Sequence, residues 1–351
     1  MSYQRAFEDR VRVGIVGVGD HAYRNLLPLL TFLPVDLVAI ADTDAELGAR
    51  TAQQYGRVPH YETATTMYEN EELDAVLICV SPRLHPQLTL EALDAGLHVW
   101  MEKPASITVR GVDDMIRARA GRVVVVGYKK AFMPATAKVV ELAESSALGD
   151  VRSISATYPL VIPHGDRALI ERGEPSMWLA NGCHPTAFAL AVAGAAQSVV
   201  VHRGREGANV VVIRHTSGAL TSIHSALGIS PAHPFERYTV YGMHGAVEVE
   251  NGRRVVFWRA TAFNYSTTSN FAPPGLDSAA LVWEPQDSLG TLETKAEFTQ
   301  GMHGELAYFL DCVRTGTEPT MGNLEFARQL AGIYEAGILS DGDEVALEDL
   351  N

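Results

Sequence analysis

Short apolar runs alternate with helical patterns through the first third of the sequence, and this alternation restricts the possible folds more than any other feature. The runs are rich in β-branched residues and fit buried strands. They lie near residues 11–16, 36–41, 75–80, 97–101 and 123–127. Intervening stretches such as residues 44–56, DAELGARTAQQYG, carry apolar residues at helical intervals. Alternation of this kind predicts a parallel sheet that is covered by helices on both faces.

The pattern changes after about residue 130, where segments with a period of two residues take over. Segments such as VRSISATY and GAVEVENGRRVVFW predict a largely antiparallel sheet. Within the second segment, Asn251-Gly252 predicts a hairpin, because both central positions of such a turn need positive φ angles. The stretch 260–296 is polar and weakly periodic, and it predicts a long surface excursion that is a candidate cover for a site. Helical patterns lie near residues 135–146, 304–316 and 324–339.

Length and pattern together predict an α/β protein of two domains. A chain of 351 residues, 47% of them hydrophobic, can bury a large core and is long for a single domain. We expect residues 1–130 to form a doubly wound parallel sheet. Residues 131–351 are expected to form a second α/β domain around a large, mainly antiparallel, open sheet.

Charge and cysteine content exclude several classes of function. The 28 basic and 42 acidic residues give a net charge of −14, which repels nucleic acids and anionic membranes. Cys79, Cys183 and Cys312 are far apart, so neither a disulfide framework nor a CxxC metal site is indicated. The histidines show no paired metal-ligand spacing, and we predict no metal. A polar start and the lack of a membrane-length apolar run predict a cytoplasmic protein.

A glycine motif follows the first predicted strand in the sequence GIVGVGDHAYRNLL. Gly17 permits a tight turn, Gly19 removes a side chain where a pyrophosphate would approach, and Ala22 lets strand and helix pack closely. The helix, predicted over 22–33 with a kink at Pro28, would offer amide donors to the anion. We take Asp20 and His21 of this turn as further cofactor contacts. The alternative is a glycine turn that serves packing only.

An aspartate ends the second strand, in DLVAIAD. Asp42 lies about where a carboxylate reaches the adenosine ribose hydroxyls, and its charge would repel the 2′-phosphate of NADP. It therefore favours NAD. The alternative is that Asp42 caps the helix that begins near Asp44.

Two further strands end in polar residues, in VLICVSPRLHPQL and HVWMEKP. Because ligands of such sheets lie beyond the carboxyl ends of the strands, these residues should converge on one crevice. The candidates for cofactor binding are Ser81, Pro82, His85, Glu102 and Lys103. Burial or a cationic neighbour would lower the Lys103 pKa towards the working pH. The alternative is an exposed Lys103 that pairs with Glu102.

These motifs together resemble the Gfo/Idh/MocA family of oxidoreductases. The resemblance rests on GIVGVGDHA, VAIAD, SPRLHPQLTLEALDAGLHVWMEKP, VGYKKAFMPA, NGCH and the closing FLDCVRTGTEPTMGNLEFARQL. It implies an N-terminal Rossmann domain, a C-terminal domain that binds substrate and oligomerises through its sheet as a dimer or tetramer, and a nicotinamide cofactor. It further implies hydride transfer at a carbinol or carbonyl of a sugar, cyclitol or related polyol.

The chain departs from the family pattern at two positions. Arg83 stands where the family often has Asn after Pro82, and Ala180 stands where many catalytic members have the Asp of Asp-x-Gly-x-His. The histidine of that motif, His184, is retained. We expect His184 to accept the hydroxyl proton and Lys103 to hydrogen-bond the same oxygen. Without the aspartate, Lys103 is the alternative group for proton transfer, and a structural role at a helix start is the alternative for His184.

Secondary candidates lie after the sixth strand and in the segment that leads to His184. Lys130 is assigned to the cofactor. The substrate candidates are Tyr128, Lys129, His164, Arg167, Trp178 and Asn181. Two other functions stay open at this point. One is an NAD-binding sensor without turnover, which Ala180 favours, and the other is a lyase or epimerase that uses tightly held NAD transiently.

Overall fold

Two β-sheets organise the protein, as seen in a computed structural model. The structure describes residues 7–174, 176–225, 235–260, 280–286 and 294–350. The predicted excursion at 260–296 therefore falls largely outside the described residues. Of this stretch the structure describes residue 260, residues 280–286, which include a short strand, and residues 294–296.

The first sheet has six parallel strands in the order β3-β2-β1-β4-β5-β6. Its strands are β1 (Val11–Val16), β2 (Val35–Ala41), β3 (His60–Tyr61), β4 (Ala75–Ile78), β5 (His98–Glu102) and β6 (Val124–Gly127). Four helices connect them, namely α1 (Ala45–Gln54), α2 (Ala64–Asn70), α3 (His85–Asp94) and α4 (Val109–Ala118). The doubly wound parallel sheet is confirmed, and its strand order places a crevice where β1 and β4 diverge. The edge strand β3 has only two residues, which is too short for a sequence pattern.

The segment after the glycine turn differs from the kinked helix that the sequence predicts. It is a π-helical turn over Ala22–Leu26 followed by a 3₁₀ helix over Leu27–Phe32. The amide of Leu27 bonds the carbonyl of Ala22, one residue further back than in an α-helix. Pro28 stands in the first turn of the second piece, where its missing donor is tolerated. The proline thus begins a new helix instead of bending one.

In the described part of the chain the second sheet has nine strands, in the order β14-β13-β12-β11-β7-β10-β9-β8-β15. Its strands are β7 (Ser153–Tyr158), β8 (Ala196–Arg203), β9 (Asn209–His215), β10 (Leu220–Ser225), β11 (Arg237–Tyr241), β12 (Gly245–Glu250), β13 (Arg254–Arg259), β14 (Ala280–Trp283) and β15 (Val345–Ala346). The β7–β10 pair is parallel, and the other neighbours are antiparallel. The predicted hairpin is confirmed, with φ of 51° at Asn251 and 65° at Gly252.

The remaining helices cover the second sheet and return to the first. They are α5 (Pro134–Glu144), α6 (Arg167–Arg172), α7 (Met177–Asn181), α8 (Cys183–Ala193), α9 (Ala296–Thr299), α10 (Met302–Thr315) and α11 (Leu324–Leu339). Leu306 and Phe309 of α10 share a core with Trp100 and Ile15 of the first sheet. A helix from the far end of the chain therefore completes the core of the first sheet. The division into domains at residues 1–130 and 131–351 stays a prediction.

The described ranges lack a membrane-spanning helix and a candidate metal cluster. No helix in them combines the length and apolar character needed to cross a bilayer. The same ranges hold no group of three or more His, Cys, Asp or Glu side chains placed to bind a metal ion.

Candidate active site

The two glycines of the turn after β1 have different roles. Gly17 has φ of 87°, and a methyl group there would lie 2.3 Å from the carbonyl oxygen of Cys79. Its position is thus fixed by close packing against the end of β4. Gly19 is exposed, and a methyl group there would meet no described atom within 4 Å. Packing explains Gly17, whereas the open space at Gly19 fits the approach of a ligand to the backbone. Ala22 is fully buried beneath the turn.

Asp42 holds the glycine turn from the end of β2. Its Oδ2 accepts the Val18 amide at 2.8 Å, and its Oδ1 accepts the Asp44 amide at 2.9 Å. The residue that caps α1 is Asp44, whose side chain accepts the Leu47 amide. The alternative in which Asp42 caps that helix is therefore wrong. Asp42 remains partly exposed beside the turn, where a ribose would lie.

Glu102 is buried at the end of β5 and binds two groups on neighbouring elements. Its Oε1 lies 2.8 Å from His21 Nε2, and its Oε2 accepts the backbone amide of Lys103 at 3.1 Å. His21 Nδ1 in turn lies 3.1 Å from Asn25 Nδ2. Glu102 thereby joins the turn after β1 to the turn after β5. The alternative of an exposed Lys103 that pairs with Glu102 is not what these atoms form.

The Lys103 ammonium reaches across to the second part of the chain. Its Nζ donates to the carbonyl oxygen of Ala180 at 2.9 Å, and the side chain is partly exposed. The Lys103-Pro104 peptide bond is cis. An ammonium has three N–H donors, and the described residues accept from one of them, which leaves two for a ligand oxygen. The backbone at position 180 thus contacts the lysine although its side chain has no carboxylate.

His184 lies in the first turn of α8 and faces the same region. The ring is almost fully buried, its centroid is 6.1 Å from that of Tyr158, and no described residue hydrogen-bonds it. Burial lowers the pKa of His184 well below its ordinary value, and Lys103, Lys129 and Lys130 lower it further. The imidazole is therefore neutral and is oriented by packing alone, as the loss of the usual aspartate implies.

Lys129 adds a second, less hydrated amine to this region. Its side chain is mostly buried, and burial together with repulsion by Lys130 lowers its pKa, while Glu305 and Glu102 oppose that shift. Among the described atoms its Nζ has no hydrogen-bond acceptor. The crevice between the two sheets therefore has cationic character near His184.

Two residues expected to bind cofactor are instead internal supports. His85 is fully buried, with Nδ1 2.7 Å from the Pro104 carbonyl oxygen and Nε2 3.1 Å from that of Val80, so it joins the ends of β4 and β5. Lys130 is buried, and its Nζ lies 2.6 Å from both Glu236 Oε2 and Gln300 Oε1. Direct cofactor contact by either side chain conflicts with this burial. Ser81 is exposed and Pro82 partly so at the end of β4, as the sequence predicts for a crevice.

Three residues expected to bind substrate are also tied to the interior. Trp178 is buried and its Nε1 donates to the Tyr334 carbonyl, and Tyr128 is buried with its hydroxyl accepting the Ala105 amide at 3.4 Å. Arg167 pairs with buried Glu335 of α11 at 2.6 Å. The bonds of Trp178 and Tyr128 commit the polar atoms that the prediction assigned to substrate, whereas the Arg167 side chain is 42% exposed and a guanidinium has five N–H donors. His164 is exposed ahead of α6, and Asn181 is partly exposed at the end of α7.

Glu305 is a buried acid of the crevice that the sequence interpretation did not select. A signal was present, because Met302, Glu305, Phe309 and Cys312 recur at helical intervals and place the carboxyl on the apolar face of α10. An acid at such a position is uncommon, since Glu is almost never fully buried unless it is paired.

Comparison with known proteins agrees with this geometry. Residues 11–129 match the family model described as the oxidoreductase family with an NAD-binding Rossmann fold, Gfo/Idh/MocA. Residues 11–129 therefore carry the NAD-binding Rossmann domain of the Gfo/Idh/MocA family of oxidoreductases. The matched region contains the glycine turn, Asp42, Glu102 and Lys103, so the Rossmann part of the crevice lies within it.

Two curated relatives and one solved structure illustrate the family. The chain is 29% identical to dTDP-3,4-didehydro-2,6-dideoxy-alpha-D-glucose 3-reductase of Streptomyces antibioticus and 27% identical to myo-inositol 2-dehydrogenase of Thermotoga maritima. Each match covers 69% of this chain and 76% of the relative. The structure of levoglucosan dehydrogenase in complex with NADH and levoglucosan superposes with a TM-score of 0.80, covering 97% of this chain and 100% of that one, at 16% identity. At 16% identity, the superposition on levoglucosan dehydrogenase shows that the two proteins share a fold.

Proposed function

We propose that this Gfo/Idh/MocA protein is an NAD-dependent oxidoreductase that interconverts a carbinol and a carbonyl on a sugar, cyclitol or related polyol. The observation that carries the proposal is the position of the Lys103 ammonium. It lies beyond the end of β5, joined to Ala180 across the crevice, with two N–H donors left. A bound nicotinamide would supply the hydride acceptor or donor, and the residues that fit its dinucleotide are Gly19, Asp42 and the exposed end of β4.

Proton transfer is assigned to Lys103. As a carbonyl is reduced, negative charge develops on its oxygen, and a positioned ammonium stabilises that charge and can donate the proton. In the oxidative direction the neutral amine accepts the hydroxyl proton. The low pKa of His184 makes its imidazolium unstable, so we assign His184 a neutral hydrogen-bonding role towards a substrate hydroxyl instead of the proton-accepting role expected from its motif.

A direct assay tests the proposed reaction against its alternatives. Purified protein is mixed with NAD or NADH and a panel that includes cyclitols, anhydrosugars and nucleotide-linked keto sugars, while the absorbance of the reduced cofactor is followed. Net conversion of cofactor supports the oxidoreductase. Product without net reduced cofactor supports transient use of tightly held NAD, and binding without turnover across the panel supports a sensor.

The preference for NAD over NADP is assigned to Asp42. We expect Asp42→Ala to relax the preference by about tenfold or more, because a carboxylate beside the 2′-phosphate no longer repels it. Fluorescence titrations with NADH and NADPH measure the two affinities. The same substitution leaves the Val18 and Asp44 amides unpaired, whereas Asp42→Asn also removes the charge but keeps an acceptor oxygen for one of the two amides, so it should relax the preference with a smaller loss of stability. Equal affinity of the unmodified protein for both cofactors would contradict the assignment.

We also propose that the open face of the second sheet joins copies of this chain as a homodimer or homotetramer. That face exposes large apolar side chains, among them Tyr241, Trp258 and Leu220. Exposed apolar surface of this kind is typical of a protein interface. Sedimentation equilibrium tests it, and a monomer at micromolar concentration would contradict the proposal.

A further inference from the structure

His21 lies two residues after Gly19, and its ring contacts two side chains that come from different elements. Nε2 lies 2.8 Å from Oε1 of Glu102 at the end of β5, and Nδ1 lies 3.1 Å from Asn25 Nδ2. Both ring nitrogens therefore have a partner within the fold, although 43% of the side chain is exposed beside the glycine turn. The ring forms a bridge between the two turns that border the crevice.

The direction of both hydrogen bonds follows from the chemistry of the partners. The amide nitrogen of Asn25 can only donate, so Nδ1 of His21 accepts. A carboxylate can only accept, so Nε2 carries the proton and donates to Glu102. This arrangement assigns the neutral Nε2–H tautomer to His21, and the hydrogen bonds run in one direction from Asn25 through the ring to Glu102.

The π-helical turn after the glycine motif supplies the first donor of this chain. Asn25 follows His21 by four residues and lies within that turn, in which the Leu27 amide bonds the Ala22 carbonyl. Turns of this kind are rare and are frequent at functional sites. The irregular helix thus brings the Asn25 amide to Nδ1 and fixes which ring nitrogen carries the proton.

Glu102 passes this constraint to the lysine of the crevice. Its side chain is 10% exposed, and the described residues give it one donor at each oxygen, the His21 ring and the backbone amide of Lys103. The carboxylate therefore holds the backbone from which the Lys103 side chain reaches the Ala180 carbonyl. A nearly buried carboxylate oxygen that loses its donor is costly. Without His21, Glu102 would turn to recover a partner and release the Lys103 amide.

We propose that His21 is a positioning residue that holds Glu102 and thereby directs the ammonium of Lys103 towards the reacting oxygen. The proposal deepens the proposed function, on which its effect on turnover rests. Both nitrogens of the His21 ring are bonded within the fold, so the ring acts on the reaction through Glu102 and does not touch the substrate. It also joins the turn that fits the dinucleotide to the lysine that acts beside it.

Nuclear magnetic resonance on the cofactor-free protein tests the bridge itself. At about pH 8 an ordinary imidazole is neutral. Under that condition ¹⁵N–¹H correlation spectra of the histidine rings should show His21 as the Nε2–H tautomer, with its signals identified by their loss in His21→Leu. An Nδ1–H tautomer would overturn the proposal, because the ring would then have no proton to donate to Glu102.

Steady-state kinetics test the effect on the reaction. His21→Leu removes the donor to Glu102, and we expect kcat to fall by about ten- to a hundredfold, because a small displacement of a reacting group costs that much. The substrate KM and the affinity for NADH should stay within about threefold. His21→Gln keeps an N–H donor and should restore kcat to within about threefold of the unmodified protein. His244→Leu, the same change at an exposed ring after β11, is the matched control and should have no effect.

Three kinetic results would overturn the proposal. The first is an unchanged kcat in His21→Leu. The second is a defect confined to cofactor affinity, which would show that His21 contacts the cofactor directly. The third is a His21→Gln variant as impaired as His21→Leu, which would show that the ring serves packing and not hydrogen bonding.

A double variant tests whether His21 acts through Lys103. In Lys103→Ala the group that His21 positions is gone, so the added His21→Leu change should lower the residual turnover by less than about threefold. A further loss as large as that of His21→Leu alone would overturn the proposal, because His21 would then act on another part of the site.

A signal from the lysine separates this inference from the proposed function. In protein labelled with ¹³C at lysine Cε, the Lys103 signal is identified by its loss in Lys103→Arg. It should shift in His21→Leu and return in His21→Gln, while the signal of Lys138 on α5 stays unchanged. An unmoved Lys103 signal would overturn the proposal. If the signal shifts but no substrate of the panel is turned over, the proposed function fails and the positioning inference stands.

Discussion

Replacing Lys103 by alanine is expected to reduce turnover by about a thousandfold, because both the proton donor and the positive charge beside the reacting oxygen are lost. Cofactor affinity should stay within about threefold, since the glycine turn and Asp42 are untouched and a surface charge contributes little. Turnover is measured at saturating cofactor and substrate, and affinity by fluorescence titration of the reduced cofactor.

Lys103→Arg is the matched variant that separates charge from proton transfer. Arginine keeps a cation and donors that can reach the Ala180 carbonyl, but its guanidinium stays protonated over the whole working range. We expect Lys103→Arg to lose most of the turnover and to retain the binding of a substrate analogue. A variant that is active without Lys103, or one whose defect is confined to cofactor affinity, would refute the assigned role.

The parts of the site that the sequence predicted are those where local chemistry decides the conformation. Gly17 combines a positive φ with no room for a side chain beside the Cys79 carbonyl, and Lys103 directly follows a strand whose neighbours are fixed by a parallel register. A short motif directly after a β-branched run therefore suffices to place these residues at the carboxyl edge of the sheet.

The predicted site residues whose side chains lie in the interior have partners distant in the sequence. His85 follows a strand as the other crevice residues do, yet carbonyls on both sides hold its ring inside. Lys130 follows directly after Lys129, but its Nζ bonds Glu236, which lies 106 residues further along. A pattern of neighbouring residues does not contain these contacts. Glu305 shows the opposite case, because the helical spacing along α10 is enough to place this acid on the buried face without any distant partner.

The Lys130–Glu236 pair gives the second large expected effect. Both side chains are nearly inaccessible, at 4% and 8% exposure, with Nζ 2.6 Å from Oε2, while the Tyr238 hydroxyl donates to Glu236 Oε1 at 2.5 Å. Lys130→Met leaves that carboxylate buried without a cation. We expect the free energy of unfolding to fall by about 3–5 kcal/mol, because an uncompensated buried charge costs that much. Urea unfolding of the cofactor-free protein measures it.

Two controls decide whether the loss of stability comes from the buried Glu236 carboxylate that Lys130→Met leaves without a cation. Lys138→Met removes a lysine from an exposed pair with Glu141 and should change the free energy of unfolding by no more than about 1 kcal/mol. The double variant Lys130→Met/Glu236→Gln removes both charges, so it should be more stable than Lys130→Met alone. If Lys130→Met folds normally and loses only cofactor affinity, the role first expected for Lys130 is correct and the ion pair is dispensable. The double variant has no unpaired buried charge. If it is less stable than either single variant, the loss of stability comes from packing instead.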